Sequence, residues 1–466
     1  MAHELVERPS AESSIAAAIP RPTLTVPDAI AVIVGGVIGA GIFRTPSIVA
    51  GNVPGEMAMI LVWVAGGLVS AIGAMCYAEL AAAYPHSGGD YHYITRAFGR
   101  NLGFLFAWAR MAVIQTGSIA TLAFVVGDYA NEVLPIDGAL AAAIYAGVAV
   151  VALTGLHTLG IEKGKWTQNV LTLAKTVGLL LVFLAGVTLA RHATPIPAGE
   201  VKASGSWGLA MIFVLFTFGG WNEAAYISAE VREPRRNMVR ALLAGVGVIT
   251  LVYVLVNIAY VHGLGLAAMA GSKAVAADLI RRSLGEPGAR LVSLLIVISA
   301  LGATSSTIFT GARTNYALGC DTPAFALIGR WSPRRNTPTA ALLLQAAIAL
   351  ALVLLGALTR KGFETMVDYT VPVFWFFFLL AGLSVFVLRV KEPNAPRPFR
   401  VPLYPVTPAL FCATCLYMLY SSLNHVGIGS LAGVVVLLAG VPVLIFCRRR
   451  EAQTTDPPPT TPPTRR

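Results

Sequence analysis

Twelve apolar runs, most about twenty residues or longer and nearly free of charge, leave this chain few folds. They lie near residues 28–50, 57–83, 102–130, 138–157, 166–190, 207–229, 240–262, 289–318, 339–357, 366–390, 403–422 and 428–447. A run of that length matches the hydrocarbon thickness of a bilayer when it is helical. Hydrocarbon cannot satisfy bare peptide groups, so a spanning segment is either a helix or part of a closed barrel. These runs are continuous, not the alternating ten-residue segments of a barrel. Only 12% of residues are charged and 56% are hydrophobic, a balance that the core of a soluble protein could not hide. The expectation is an all-α membrane protein of about 12 transmembrane helices.

The formal net charge of +11 could suggest a nucleic-acid partner, but its distribution argues for a membrane protein. With the amino terminus placed in the cytoplasm, 23 of the 34 Lys and Arg fall in the tails and inward loops. Eight fall in outward loops, and Arg44, Arg110 and Lys175 lie within runs. This is the positive-inside bias, and it places a multi-pass protein in the cell (inner or plasma) membrane with both termini cytoplasmic. Residues 1–27, with Glu4, Glu7, Arg8 and Glu12, lack the pattern of a secretory signal and form a cytoplasmic tail. Residues 448–466 form a Pro-rich tail expected to be extended and solvated. Cys412 and Cys415 share a helix face without further ligands at metal spacing and are expected to be packing residues. No metal, cofactor or catalytic constellation is expected.

Two runs are interrupted alike. AIAVIVGGVIGAGIFRTP (Ala29–Pro46) carries Gly35, Gly36, Gly39 and Gly41 near its middle, and GLAMIFVLFTFGGWNEAAYISAE (Gly208–Glu230) carries Gly219 and Gly220 at similar depth. Each glycine costs a helix about 1 kcal/mol relative to alanine, so such clusters predict unwinding that is put to use. The breaks are five runs apart, and an odd offset reverses direction through the membrane. Two inverted five-helix halves, residues 28–190 and 207–390, each opening with a broken helix, define an inverted-repeat transporter. Residues 403–447 then add helices 11 and 12. The half-helix starting near Gly41 offers amide donors to a carboxylate, and carbonyls released near Val37 and Phe216 offer acceptors to an ammonium. Together they suit an α-amino acid.

Five motifs resemble the amino acid–polyamine–organocation superfamily, in particular its L-amino-acid transporter group and bacterial relatives. They are VIGAGIF (Val37–Phe43), GAMCYAELAAAYPHSGGDYHYITRAFG (Gly73–Gly99), TQNVLTLAKTVGLLLVF (Thr167–Phe183), FTFGGWNEAAYISAEVREPRRNMVRAL (Phe216–Leu242) and IFTGARTNYALGCD (Ile308–Asp321). The resemblance implies a LeuT-type 5+5 inverted repeat with substrate between helices 1, 3, 6 and 8. It assigns the carboxylate to amides of Gly39, Ala40 and Gly41, and the ammonium to carbonyls near Val37, Ile38, Phe216 and Gly219, with Thr217 beside them. Ala40 stands where the family often has serine, so a hydroxyl contact is lost. Phe216 resembles the family's aromatic gate, and Trp221 supports the second break.

Lys175 lies nine residues into the fifth run, about 14 Å from its edge, where a lysine costs at least about 3 kcal/mol and calls for a partner. In sodium-independent members the matching lysine resembles a replacement for a sodium ion, and here Gly36 with Ser305 or Ser306 would receive it. Arg110 is expected to snorkel or to pair with Glu79. Thr304, Ser305, Ser306 and Thr307 are expected to bond their own helix. His86, Asp90 and His92 belong to an expected capped turn on the cytoplasmic side. The reading is sodium-independent transport of L-amino acids, neutral ones ahead of cationic ones or polyamines, with protons a candidate coupling ion. A membrane enzyme would need clustered acid–base groups at one depth, and a channel would need repeated filter motifs. The outer loop 131–138, NEVLPIDG, has no cysteine through which relatives of the group join a heavy-chain subunit.

Overall fold

The computed structural model describes residues 24–86, 88–159, 178–186, 206–322, 325–332, 335, 337–424 and 428–455. Lys175, most of the fifth run and both tail ends lie outside the described residues. The first part of the chain comprises α1 Val26–Val37, α2 Thr45–Ala50, α3 Glu56–Ala83, α4 Gly89–Phe98, α5 Arg100–Ala109, α6 Gln115–Val133 and α7 Ala141–Thr158. One π turn at Arg110–Ile114 joins α5 to α6. Residues 178–186 are also helical. Then follow α8 Trp207–Phe218, a 3₁₀ segment Trp221–Glu230, α9 Pro234–Leu264, α10 Leu266–Gly271 and α11 Val275–Asp321. The chain closes with α12 Thr339–Thr359, α13 Gly362–Lys391, α14 Val406–Asn424 and α15 Ile428–Thr455.

Among the described residues ten helical stretches are long and apolar enough to cross a membrane, and α1 is an apolar helix too short to do so. α1 is short because it is broken. It starts on a capping box in which the Thr25 amide donates to Asp28 Oδ2 at 2.9 Å and Asp28 N–H donates to Thr25 Oγ1 at 3.5 Å, satisfying amides that a first turn leaves bare. α11 bends where Gly285 takes φ +71 ahead of Pro287, since proline cannot donate into the turn before it. The only β contacts among the described residues are isolated bridges. One pairs Leu24 with Val231 and ties the entrance of α1 to the exit of the 3₁₀ segment.

The helix through residues 100–133 is the most enclosed, 83% of its apolar window being buried against 22% for residues 429–448. α6 therefore sits at the centre, packed on α7, α11 and α13, and α15 lies at the rim. α9 packs along α3 and α1. Its Tyr253 thereby reaches the interior beside both breaks. None of the five cysteines is in a disulfide; Cys412 and Cys415 are buried.

Candidate functional site at two broken helices

α1 stops at Val37. Ile38 leaves helical backbone at φ −68, ψ 82, Gly39 is extended at φ −110, ψ −160, and Ala40–Phe43 make one 3₁₀ turn before α2. The Gly35–Gly36 pair stays helical, so the chain departs two residues later than the glycine pair. α8 stops at Phe218, Gly219 is extended, and Gly220 is left-handed at φ +110. A side chain in that region is strained, and a Cβ there would also meet the Gly36 carbonyl oxygen and Val37 Cγ2 at 3.5 Å. The two breaks touch at this point.

Backbone accounting shows which groups remain for a ligand. The Gly39 amide turns back onto the Val37 carbonyl at 2.7 Å, and the Gly219 amide onto the Phe216 carbonyl at 3.0 Å. The Tyr253 hydroxyl lies within donating distance of two carbonyls, 2.9 Å from Val37 and 3.1 Å from Thr217. The Val37 carbonyl, read from sequence as an ammonium acceptor, thus has donors at both lone pairs from the chain itself. The Gly39 amide is likewise engaged. Ala40 and Gly41 open the 3₁₀ turn, where amides lack an acceptor within the helix, and they remain the donors suited to a carboxylate.

Packing holds these strands of backbone in place. Thr217 Oγ1 lies 2.7 Å from Thr45 Oγ1 and 2.8 Å from the Phe213 carbonyl, which bolts α8 to α2. A Cβ on Gly41 would come within 3.1 Å of Thr217 Cγ2, whereas around Gly39 only the Val37 carbonyl lies near, at 3.7 Å. Trp221 is 3% exposed and meets Tyr77 and Phe378 edge-on, with centroids 5.1 and 5.6 Å away. Phe216 is half-buried. Tyr253 is wedged edge-on between Trp63 at 5.5 Å and Phe218 at 5.0 Å.

Charged residues close one end. Arg44, 8% exposed, donates to Glu364 Oε1 at 2.9 Å and to the Ser272 carbonyl at 3.0 Å. Its Nε lies 3.4 Å from Asp128 Oδ2. The Tyr129 hydroxyl caps the Phe43 carbonyl at 2.6 Å. Gly36, where the two breaks touch, and Glu223 and Ser306 are exposed.

Several sequence expectations change here. Arg110 neither snorkels nor pairs with Glu79. It donates to Glu223 at 3.1 and 3.2 Å and to the Tyr226 hydroxyl at 3.0 Å, because the π turn rotates it toward the 3₁₀ segment. Glu79 instead takes Arg389 at 2.6 and 2.8 Å. Thr304 and Thr307 bond their own helix, at 2.8 and 2.9 Å. Ser305 contacts His157 Nε2 of α7 at 2.9 Å instead. Lys175, the coupling residue expected to face Gly36 and Ser305 or Ser306, lies outside the described residues. Sequence reasoning passed over Tyr253, Asp128 and Glu364, since an aromatic or carboxylate inside an apolar run carries no local signal of its partner.

A bundle of membrane-length helices, two of them broken side by side at mid-length, defines a membrane transport protein. Residues 24–442 match the family model described as amino acid permease, and the chain belongs to that family, within the amino acid–polyamine–organocation superfamily. It is 30% identical over 390 residues to the b(0,+)-type amino acid transporter 1 of Mus musculus, covering 80% of this chain and 77% of the relative. It is 30% identical over 427 residues to the large neutral amino acids transporter small subunit 2 of the same species, covering 88% and 78%. The human b(0,+)-type transporter is 28% identical over 397 residues, covering 84% and 80%. The family and these relatives are transporters, not enzymes.

Proposed function

We propose that this permease carries neutral L-amino acids across the cell membrane by alternating access, without sodium, with both termini in the cytoplasm. The observation that carries the reading is the apposition of residues 37–41 with residues 216–220, which sets amide donors and carbonyl acceptors a few ångströms apart inside the bundle. The Ala40 and Gly41 amides, next to Gly39, hold the substrate carboxylate. The carbonyls of Ile38 and Gly219, beside those of Val37 and Phe216, hold the ammonium, and Thr217 orients the second break. Phe216 closes over the substrate and Trp221 braces the segment below it. Residues 28–190 and 207–390 are the two inverted halves. Glu223 is neutralised by Arg110 at 3.1 Å, which removes the acidic group that a cationic side chain would seek and favours neutral substrates. In this orientation the buried Arg44–Asp128–Glu364 cluster is the closed outer side, and the exposed Gly36 and Glu223 face the cytoplasm.

The decisive experiment is uptake of a panel of labelled amino acids by purified protein in proteoliposomes, with and without sodium and proton gradients. Neutral amino acids are expected to enter without sodium, and stimulation by a sodium gradient would count against the proposal. Proton symport, which we favour for net uptake, gives accumulation in empty vesicles under an inward proton gradient. Obligatory exchange gives none until amino acid is loaded inside. Lys175→Ala is expected to lower uptake at least about tenfold, the loss of roughly 1.4 kcal/mol, because the family resemblance assigns Lys175 the place of a sodium ion, with Gly36 and Ser305 or Ser306 as its partners. Full uptake by that variant returns Lys175 to a structural part. Phe216→Ala is expected to reduce uptake far more than Phe216→Tyr, and equal rates in both would reduce Phe216 to a packing aromatic.

A further inference from the structure

A polar cluster outside the candidate substrate site lies where α4 meets the 3₁₀ segment. Asp90 is 4% exposed. Its Oδ2 accepts from Asn222 Nδ2 at 3.2 Å, two residues past Gly220, and its Oδ1 has no donor. The Tyr77 hydroxyl of α3 lies close enough to this carboxylate to interact with it but outside normal hydrogen-bond geometry, and the Tyr93 hydroxyl of α4 also has no partner of normal geometry. Alongside, Arg110 engages Glu223 and Tyr226 while its Nε is left without a partner. Asp90 is seated against this group by its neighbour. Gly89 begins α4 at φ +48, and a Cβ there would lie 2.7 Å from the Tyr226 ring.

The charges do not balance. The Arg110 guanidinium is taken by Glu223 at 3.1 Å, an exposed carboxylate, so the negative charge left without a counter-charge is that of the buried Asp90. A buried carboxylate with one amide donor and only a nearby phenol hydroxyl in support is poorly stabilised as an anion. Burial, reinforced by Glu223 and opposed by Tyr77, Arg110 and Asn222, raises the Asp90 pKa to about 6. Among the described residues nothing else packed on α4 supplies the missing positive charge, and Arg100 of α5 is exposed. α13 directs Arg389 at Glu79 and Lys391 at the Ala97 carbonyl at 2.8 Å. Glu392 holds Arg96 at 2.8 and 3.0 Å. His86 and His92 stack on one another at 4.1 Å, and His86 Nδ1 is occupied by the Gly88 amide at 2.8 Å.

We propose that Asp90 is a proton-binding site whose occupancy controls the contact between α4 and the segment after the Gly219–Gly220 break. One proton adds to the carboxylate, neutralises the cluster, and is donated to the waiting Tyr77 hydroxyl oxygen. The charge-assisted bond from Asn222 weakens at the same moment, so the inner part of the second broken helix is freed to move. The inference rests on the carrier reading and places the proton on α4, leaving Lys175 as a fixed cation. The folded protein binds this proton more tightly than an unfolded chain. The resulting stabilisation is therefore fully present below the ordinary carboxylate range and is lost as pH rises through about 6.

The test is exchange of labelled L-leucine in proteoliposomes at equal internal and external pH, over roughly pH 5 to 8. Wild-type exchange is expected to fall about tenfold per pH unit above an inflection near the Asp90 pKa. Asp90→Asn should flatten the profile, Asp90→Glu should retain a displaced inflection, and Asn222→Ala should move it upward by removing a donor to the anion. Infrared difference spectra with isotope-labelled aspartate should show a buried carboxyl protonating over the same range in the wild-type protein that is missing from Asp90→Asn, which separates it from Asp128, another largely buried aspartate. An unchanged inflection in Asp90→Asn, or no such carboxyl band, overturns the assignment. Absence of exchange at every pH with every amino acid tried overturns the carrier reading instead, while the difference between the wild-type and Asp90→Asn infrared bands still decides Asp90.

Discussion

Gly39→Val is expected to fold and insert like the native chain and to transport no amino acid. Gly39 is extended at φ −110, ψ −160, a region open to any residue, and only the Val37 carbonyl lies near a Cβ placed there, at 3.7 Å. The added isopropyl group therefore strains little of the protein and fills the space where a ligand carboxylate would meet the Ala40 and Gly41 amides. Thermal unfolding in detergent should move by no more than about 3 °C, while uptake falls beyond detection. Gly41→Val should abolish uptake too, but for another reason. Its Cβ would lie 3.1 Å from Thr217 Cγ2, so α2 and α8 must part and stability must drop with activity. Native uptake by Gly39→Val at native stability would remove the substrate from this position.

Tyr253→Phe is expected to lower uptake at least about tenfold with the ring still in place. The hydroxyl is the shared donor at 2.9 Å from Val37 and 3.1 Å from Thr217, and Tyr253 is 0% exposed. Removing it leaves a buried carbonyl without that donor, at a cost of about 1–3 kcal/mol. Because the ring remains wedged between Trp63 and Phe218, no cavity opens and the loss falls on the alignment of the two breaks. Both the affinity for substrate and the maximal rate should suffer, and Tyr253→Leu should be worse because it also removes the ring. Uptake equal to wild type in Tyr253→Phe would reduce the residue to packing.

Much of the architecture was legible because its signals are local. A run of about twenty apolar residues reads as a span wherever it sits, and glycine pairs weaken a helix wherever they fall. That logic located both interruptions to within a few residues, at Ile38–Gly39 and Gly219–Gly220. It did not tell which backbone groups would stay open. Val37 and Phe216 were plausible acceptors from spacing alone, yet Gly39, Gly219 and Tyr253 return to those carbonyls. Arg110 illustrates the same limit. Its depth in the run suggested snorkelling, but one π turn aims it at Glu223, 113 residues away in sequence.

Sequence by itself determined that the chain is a bundle of membrane helices, that the first and sixth runs are interrupted, and that the family is that of amino acid permeases. These follow from composition, period and motif, which act over a few residues. Tertiary structure alone decided that Gly36 abuts Gly220, that Tyr253 serves both breaks, that Arg44 gathers Asp128 and Glu364, and that Asp90 lies buried with too few donors. Each of those depends on which faces of distant helices meet. In a low-dielectric interior, the partner a charge finds across the bundle settles its role, and no local pattern records that partner.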